Sequence, residues 1–349
     1  MLSRNIVSYC SIFLALNVLT LGVSQASNWQ ALPDKAPSPS DNPTTQAKIT
    51  LGKMLYFDPR VSSTGTVSCN SCHNLMEGGD DSRRVSMGVH GNRGSRNAPT
   101  VWNSAFHSVQ FWDGRANSLE AQAKGPVTNP VEMGMKNLNS AINRVRAIPG
   151  YKTYFQQAFG KNNPVTVDNA ARAVAAFERT LITPNSAYDR YVKGQKSAMT
   201  AQQIRGMKTF AATGCTACHS GPAFDGPKMP AGQGFYAKFP TFTDNKFVKE
   251  YALMKDQGRF SATKKPADKH MYRVPTLRNV TDTAPYFHNG SVNDLHQAVR
   301  IMAKVQLSKT LSKNDVNDIV AFLGSISGVY PEMTLPRLPG TYGKSIVSK

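Results

Sequence analysis

Apolar residues recur at helical spacing in five segments of the chain, and this periodicity predicts an amphipathic helix in each of them. The five segments are 44–57, 168–182, 200–213, 292–305 and 313–326. Alternating apolar and polar residues, the pattern typical of half-buried strands, are rare along the chain. The pattern therefore predicts a mainly α fold with long loops and few strands.

Polar residues mark where several of these helices begin or end. The Asp-Pro pair at 58–59 predicts the end of the first helix, because proline disfavours a helical conformation in the residue before it. Asp168 is the predicted N-cap of the second helix. Thr200 and Gln203 have the spacing of a capping box at the start of the third. The fourth helix is expected to start after Ser291.

Two segments without helical periodicity organise the rest of the chain. Residues 75–98 are rich in Gly, Arg and Asn and predict a long ordered loop, which in a compact domain usually carries function. Residues 185–198 are polar and predict the boundary between an N-terminal domain, 27–190, and a C-terminal domain, 191–349. The Pro-rich tail "PEMTLPRLPG" is expected to pack back on the N-terminal domain.

Residues 1–26 have the organisation of a secretory signal peptide. Arg4 precedes an apolar run, and a small-x-small pattern at Ser24 and Ala26 predicts cleavage after Ala26. A retained membrane anchor is the alternative, but the run is short compared with the ~20 residues that a span requires. The sequence therefore predicts export and a mature protein without a membrane span. Cys10 would be removed with the peptide.

The other four cysteines lie in two Cys-x-x-Cys-His motifs. These are Cys69, Cys72 and His73, and then Cys215, Cys218 and His219. Two such thiols can form thioethers with the vinyl groups of a haem, and the adjacent imidazole then binds the iron. A zinc site built from two Cys-x-x-Cys pairs is the alternative. It does not explain why a histidine follows both pairs, so the motifs predict two covalently bound c-type haems.

Each motif follows a helix of similar sequence, "LGKMLYF" or "IRGMKTF", which suggests duplication of one haem-binding unit. The ligand on the far side of each iron decides the chemistry, because a haem with two protein ligands relays electrons and an open face binds an oxidant. For the second haem, Met302 is a candidate ligand, although a helical Met is more often part of the core. For the first haem, His90 and His107 are both candidates. Spacing alone leaves these alternatives open.

The formal net charge of +19 bears on the partners of the protein. The Lys and Arg residues are spread along the chain without an arginine-rich arm or helix, which disfavours a nucleic-acid role. A basic protein that handles electrons is expected to dock an acidic partner, such as a small electron carrier.

Several stretches together resemble the bacterial di-haem cytochrome c peroxidases. Besides the two haem motifs, they are "LGKMLYFDPRVS", "GSRNAPTVWNSAF", "QFWDGRANSLEAQAKGPVTNPVEM", "VPTLRNVTDTAPYFHNGSV" and "LPRLP". They follow one another from about Leu51 to the C-terminus. The resemblance implies two cytochrome-c-like haem domains, and in outline the chain is also similar to the methylamine-utilisation di-haem enzymes.

The resemblance also implies roles for individual residues. Those residues are His73 and His219 as proximal ligands, His90 as the removable distal ligand of the first, low-potential haem, Met302 as the distal ligand of the second, high-potential haem, Trp112 between the haems, Glu132 and Gln122 in the distal pocket, and Asn97, Thr283 and Pro285 at an inter-domain calcium site. The loop departs from the Gly-His pair common in the family, since Val89 stands between Gly88 and His90.

The expected role of Glu132 also has a physical basis. Cleavage of a peroxide O–O bond requires a proton to move between the two oxygens, and a carboxylate in a dry pocket can transfer it. Gln122 can hydrogen-bond the oxidant but cannot transfer a proton by titrating. Glu120 is the competing acid, and its place in the first turn of a helix predicts a structural role.

The leading hypothesis is therefore a periplasmic enzyme in which a small cytochrome or cupredoxin supplies electrons for the reduction of hydrogen peroxide, and the resemblance implies a homodimer. In this hypothesis the second haem accepts the electrons, and its reduction releases His90 from the first. A protein-modifying di-haem oxidase and a plain di-haem electron-transfer protein are the alternatives. The oxidase would use Tyr as the ligand where this chain has Met302. A plain electron-transfer protein would not need an acid such as Glu132 beside the haem.

Overall fold

The computed structural model describes residues 29–343 and 345–347, so the predicted signal peptide at 1–26 lies outside the described residues. The helices are α1 (Gln46–Phe57), α2 (Leu119–Thr128), α3 (Leu138–Arg146), α4 (Tyr151–Phe159), α5 (Val167–Glu178), α6 (Ala187–Val192), α7 (Ala201–Thr213), α8 (Lys246–Glu250), α9 (Phe260–Thr263), α10 (Leu295–Leu307) and α11 (Lys313–Ser325). Strands β1 (Tyr236–Lys238) and β2 (Met271–Arg273) pair antiparallel. Across the described residues the fold is mainly helical with long loops, as predicted.

Local capping chemistry sets the boundaries that the sequence predicted correctly. The side chains of Thr200 and Gln203 form the expected capping box at the start of α7. Helix α1 ends at Phe57, directly before the Asp-Pro pair. Helix α11 lies within one residue of its predicted bounds. These boundaries follow from interactions within one turn of the chain, so they are readable from sequence.

Two predicted helix starts were wrong. The side chain of Thr166, and not that of Asp168, caps α5, and Asp168 lies in the first turn. Asp294 caps α10, so this helix begins later than the residue after Ser291. An acidic side chain is favourable both at the cap and in the first turn, and the sequence pattern does not separate the two positions.

The two halves of the chain repeat one helix pair. Helix α1 packs along α5, and α7 packs along α11. A Cβ atom at Gly52 would collide with the carbonyl group of Ala173, and one at Gly206 would collide with that of Asp318. Glycine therefore permits the same close approach of backbones in both pairs, which supports duplication of one haem-binding unit.

This close approach gives a stability prediction. Replacing Gly206 by alanine should lower the free energy of unfolding by about 1–3 kcal/mol, because the added methyl group must push α7 away from α11. Thermal unfolding of the haem-loaded protein measures the effect. Gly340→Ala is the matched control, since a Cβ atom there has no heavy atom within 4 Å. Equal midpoints for the two variants would contradict the prediction.

Three buried clusters form the core. The first lies around α1, α4 and α5 and includes Trp102. The second lies around α7 and α11 and includes Phe210 and Phe322. The third lies around β2 and α10 and includes Tyr272 and Ile301. The first two clusters border Cys69 and Cys215 respectively, so each haem motif sits against its own core.

The polar segment 185–198, predicted as the domain boundary, is not an exposed linker throughout, although residues 193–197 are exposed. It contains α6, and Tyr188 packs in the second cluster. Asp189 forms a 2.8 Å salt bridge with Arg278, and both side chains are 0% exposed. The polarity of the segment therefore reflects, in part, a buried ion pair. The domain boundary at residue 190 stays a prediction.

The C-terminal tail returns to the first half of the chain. Tyr330, Met333, Leu338 and Ile346 pack against the first cluster. The tail therefore covers the core that borders the first haem motif. Among the described residues, none of the helices has both the length and the apolar character needed to cross a membrane.

Candidate active site

The two Cys-x-x-Cys-His motifs adopt the same local structure. A short 3₁₀ turn spans Cys69–Ser71 in the first motif and Cys215–Ala217 in the second. In each motif the backbone N–H of the histidine donates to the backbone carbonyl of the first cysteine, at 2.9 Å in both. This turn brings the two cysteines and the histidine to one side of the chain, as covalent haem attachment requires.

The orientation of both histidines fits an iron ligand. The Nδ1 atom of His73 lies 3.0 Å from the carbonyl oxygen of Pro99, and that of His219 lies 2.9 Å from the carbonyl oxygen of Phe224. An Nδ1–H that donates to a carbonyl fixes the tautomer and leaves Nε2 free to bind a metal. The backbone therefore prepares both rings for ligation through Nε2.

The cysteines do not assemble a zinc site. All four are unpaired, and the described residues contain no group of three or more His, Cys, Asp or Glu side chains placed to hold one metal ion. Burial raises the pKa of Cys69 and of Cys215 to about 12, so both are neutral thiols when no group is bound to them. Two separate attachment sites agree with this arrangement better than one shared zinc site.

A cavity of about 1060 Å³ opens beside the first motif, and it is large enough for a porphyrin. Its lining brings together residues from distant parts of the sequence. The predicted site residues that line it are Cys69, Cys72, His73, Asn97, Trp112, Gln122 and Glu132. The predicted first haem, pocket acid and pocket amide therefore share one site.

Arg273 supports an acidic ligand in this cavity. It lines the cavity and is 6% exposed, yet the groups that accept its hydrogen bonds are the carbonyls of Phe111 and Val274. Asp225 is the acid that acts on the pKa of Arg273, but its carboxylate is bonded to His107, and burial lowers the pKa of Arg273 overall. A haem propionate would supply the missing negative charge, so the lining fits the predicted cofactor.

Glu132 has the environment of a proton-transfer group. Burial raises its pKa, an effect that nearby Arg115 and a 2.8 Å hydrogen bond from the amide of Asn129 partly offset. Glu120 lies in the same region but is tied to Arg179 and Asn42, each at 2.7 Å. Burial would raise the pKa of Glu120, but these hydrogen bonds outweigh it and lower the net value. The structural role predicted for Glu120 fits these contacts.

The structure does not bring His90 to the cavity. His90 is exposed, has a left-handed φ of 57°, and is absent from the cavity lining. Val89 is buried in its place and packs with Val67 and Met133. The N–H of Val89 donates to the carbonyl of Glu132 at 2.8 Å, which fixes this turn. Ligation by His90 stays a prediction, and it requires the turn to rearrange.

His107, the other histidine candidate, is held by the second half of the chain. Its Nδ1 atom lies 2.6 Å from a carboxylate oxygen of Asp225, and its side chain is 3% exposed. His107 lines the cavity, but its Nδ1 atom is engaged by Asp225, which holds the orientation of the ring. A bridging role between the two halves fits His107 better than iron ligation.

Trp112 lies where the first cavity meets the third cluster. It lines the cavity and packs against that cluster, to whose edge Met302 also belongs. Its indole N–H donates to the carbonyl of Asn97 at 2.9 Å. This position between the cavity and the helix of Met302 is compatible with the predicted place between two haems.

At the second haem motif, the predicted iron ligands are His219 and Met302. His219 is buried, and Met302 lies half-buried on α10. Leu295 and Val299 of the same helix pack against the second cluster, which borders Cys215. Helix α10 therefore runs beside the second motif, and Met302 stays the predicted distal ligand.

One of the predicted calcium ligands, Asn97, is held by a loop residue that follows Pro285 by three positions. The N–H of Asn97 donates to the carbonyl of His288 at 2.9 Å, which holds Asn97 beside the segment that contains Thr283 and Pro285. Amide and carbonyl oxygens are ligands that calcium accepts.

Asp80 adds a negative charge near this segment. It is 1% exposed, and neither carboxylate oxygen has a hydrogen-bond partner among the described residues. A Cβ atom at Gly78 would approach both the carbonyl of Asp282 and Oδ1 of Asp80, so the two groups are close. A buried carboxylate without a partner suits a nearby cation. The donor set therefore fits calcium.

Sequence reasoning missed two buried groups in the cavity, Glu178 and His288. Glu178 is 6% exposed and lines the cavity. Its Oε2 atom has no hydrogen-bond partner among the described residues. His288 is 2% exposed and stacks on Tyr272 with ring centroids 4.5 Å apart. Glu178 ends an amphipathic helix and His288 lies in a loop, so neither position signalled the cavity.

Glu178 gives a pH prediction. Burial raises its pKa to about 8, so between about pH 4.5 and pH 8 the carboxyl is ionised in the unfolded chain and protonated in the fold. Glu178 should therefore lower stability as pH rises through this window, by up to about 1.4 kcal/mol per pH unit. Thermal unfolding of haem-loaded Glu178→Gln should show a flatter pH dependence than the wild type. Parallel pH curves would contradict the prediction.

Comparisons with known proteins show which family the chain resembles. The sequence model of a family described as di-haem cytochrome c peroxidase matches residues 46–197. Cytochrome c551 peroxidase of Pseudomonas aeruginosa is 42% identical over 314 residues, which cover 90% of this chain and 88% of the relative. Cytochrome c551 peroxidase of Nitrosomonas europaea is 40% identical over 333 residues, which cover 95% and 94%.

A solved structure gives the same result for the fold. The crystal structure of a MauG-like protein associated with microbial copper homeostasis is 28% identical to the chain, with a TM-score of 0.73. The match covers 85% of this chain and 95% of that structure.

Proposed function

This chain belongs to the di-haem cytochrome c peroxidase family, and we propose that it reduces hydrogen peroxide to water in the cavity beside Cys69, Cys72 and His73. It is a peroxidase with two haems. The shared cavity supports the site assignment, because its lining includes Glu132, Gln122 and the first haem motif. When bound, the first haem supplies the iron at which peroxide is reduced.

The residues of the chain have distinct parts in this proposal. The two cysteines of each motif attach a haem, and His73 and His219 present Nε2 to the iron. Arg273 binds a propionate of the first haem. Glu132 takes a proton from one peroxide oxygen and delivers it to the departing oxygen, and Gln122 orients the peroxide by a hydrogen bond.

The turn of Gly88 to Gly91 controls access in this proposal. The conformation with His90 at the surface leaves the distal side to peroxide, and His90 is the ligand that would close it in the fully oxidised protein. The hydrogen bond from Val89 to the carbonyl of Glu132 links this turn to the acid. A single movement of the turn would therefore displace His90 and also change the position of Glu132.

Electrons enter at the second haem in this proposal. Met302 would supply the second protein ligand of this haem. His–Met ligation raises the potential and suits a haem that accepts electrons. A small acidic cytochrome or cupredoxin is the donor, favoured by the net charge of +19. Trp112 lies on the route from the second haem to the first.

The proposal includes a calcium ion between the halves, held by Asn97 and by the carbonyls of Thr283 and Pro285. The buried, unpartnered carboxylate of Asp80 supports it. Export to the periplasm and homodimerisation stay predictions.

The test is peroxide-dependent oxidation of a reduced small cytochrome by the haem-loaded protein with calcium. It is run from the fully oxidised state and from the state with the second haem reduced. Turnover that requires prior reduction would support closure by His90, and turnover from both states would remove closure from the proposal. No turnover from either state would contradict the peroxidase function.

A protein-modifying oxidase is the second candidate, and the ligand at residue 302 discriminates it. An optical spectrum with the band of a Met-ligated haem favours the peroxidase. Its absence, with turnover of a protein substrate, would favour the oxidase.

A further inference from the structure

Two aromatic side chains that the peroxidase reaction does not use form a contact between the first half of the chain and the tail. Trp102 is 1% exposed, and its ring centroid lies 5.0 Å from that of Tyr330, with the planes at 73°. Tyr330 belongs to the C-terminal tail and is half-buried. Trp and Tyr are the side chains most easily oxidised by one electron in the absence of a reactive thiol.

One end of this pair lies close to the first haem site. Pro99, whose carbonyl orients the ring of His73, precedes Trp102 by three residues, which limits their Cα separation to about 11 Å. Thr100 and Val101 line the cavity. The backbone N–H of Trp102 donates to the hydroxyl of Thr100 at 3.1 Å. Short covalent and hydrogen-bonded connections therefore link Trp102 to the iron ligand.

The other end lies at the surface. The hydroxyl of Tyr330 donates to a carboxylate oxygen of Asp282 at 2.9 Å, and Asp282 is exposed. A tyrosine that loses an electron also loses its phenolic proton, so it requires a proton acceptor. Asp282 is such an acceptor, and from it the proton can pass to water.

The two side chains differ in how they can hold an oxidising equivalent. The indole N–H of Trp102 is buried without a hydrogen-bond acceptor among the described residues. Oxidised Trp102 therefore keeps its proton and is suited to relay an electron. Tyr330 can release its proton to Asp282 and is suited to hold the oxidising equivalent near the surface.

From this arrangement we propose that Trp102 and Tyr330 form an electron-donating path that protects the first haem site when peroxide arrives and no donor is present. This inference rests on the proposed function. Reduction of one peroxide to two waters takes two electrons, and two protons from solvent. The reduced second haem would supply one electron, and Trp102 would supply the other and then take an electron from Tyr330. The phenolic proton moves to Asp282, which leaves a neutral tyrosyl radical at Tyr330.

The experiment mixes the haem-loaded protein, with its second haem reduced and no further donor present, with hydrogen peroxide. Freeze-quench EPR follows radicals, and peptide mass spectrometry locates oxidised side chains. We expect a tyrosyl signal in the wild type and its replacement by a tryptophan signal in Tyr330→Phe. We expect loss of both signals in Trp102→Phe, with faster bleaching of the haem. Asp282→Asn should shift the signal from tyrosyl towards tryptophan.

Trp29→Phe is the control for replacing a Trp that packs against a core cluster, although Trp29 is only half-buried. Trp29 packs with Tyr188 and Phe322 in the second cluster, and its replacement should keep the wild-type signals. An unchanged tyrosyl signal in Tyr330→Phe, or oxidation confined to other residues, would overturn the path. Because Tyr330 is half-buried, Tyr330→Phe decides the matter even if Trp102→Phe fails to fold.

Turnover with a donor separates this inference from the proposed function. If the wild type consumes peroxide with a reduced cytochrome but gives no radical at Trp102 or Tyr330, only the path is overturned. If it does not consume peroxide with the donor, both the path and the proposed function are overturned.

Discussion

Replacing Glu132 by glutamine is expected to lower kcat/KM for hydrogen peroxide by about 10²–10⁴-fold, the usual contribution of a general acid–base group. Glutamine has nearly the same shape and can still accept the hydrogen bond from Asn129, but it cannot take up and release a proton. Steady-state peroxide reduction with a reduced small cytochrome measures the effect. The optical spectra of both haems should be those of the wild type.

Glu120→Gln is the matched control. Glu120 is an acid twelve residues earlier, held by Arg179 and Asn42. Its replacement should lower thermal stability and leave turnover near the wild-type value. If Glu132→Gln turns over like Glu120→Gln, Glu132 has no part in proton transfer.

The second large effect is expected for Met302→Leu. Leucine fills a similar volume beside the third cluster but has no sulfur to bind iron. The potential of the second haem should fall by a substantial part of the roughly 0.8 V that axial ligands span. Transfer of electrons from the donor should then become unfavourable, and donor-dependent turnover should be lost.

A redox titration followed optically measures this potential, and the spectrum reports the loss of the Met-ligated band. Met207→Leu is the matched control, because Met207 is buried in the second cluster on α7. An unchanged potential in Met302→Leu would show that another residue binds the second iron.

The sequence predicted those features that depend on local chemistry. The two haem motifs, the capping box at Thr200 and the mainly helical fold all follow from residues within a few positions of one another. The resemblance to a family implied that Glu132 and Gln122 share a distal pocket and that Trp112 lies between the haems, and all three line one cavity.

The features that sequence did not predict depend on contacts between distant segments. Asp189 looked like part of a polar linker because its partner, Arg278, lies 89 residues away. Glu178 looked like an ordinary helix residue, since nothing near it in sequence indicates that it borders a cavity. The exposed position of His90 depends on burial of Val89 against Val67 and Met133. Burial of this kind is a property of the assembled fold.

The tail that covers the first core has a consequence for the order in which the protein is completed. A chain is synthesised from its N-terminus, and its first half emerges long before residues 330–346. Until Tyr330, Met333 and Leu338 arrive, the apolar surface that they cover in the finished fold is exposed to water. The half that carries the first haem motif is therefore synthesised first, but its core is fully covered only after the C-terminal tail has been synthesised.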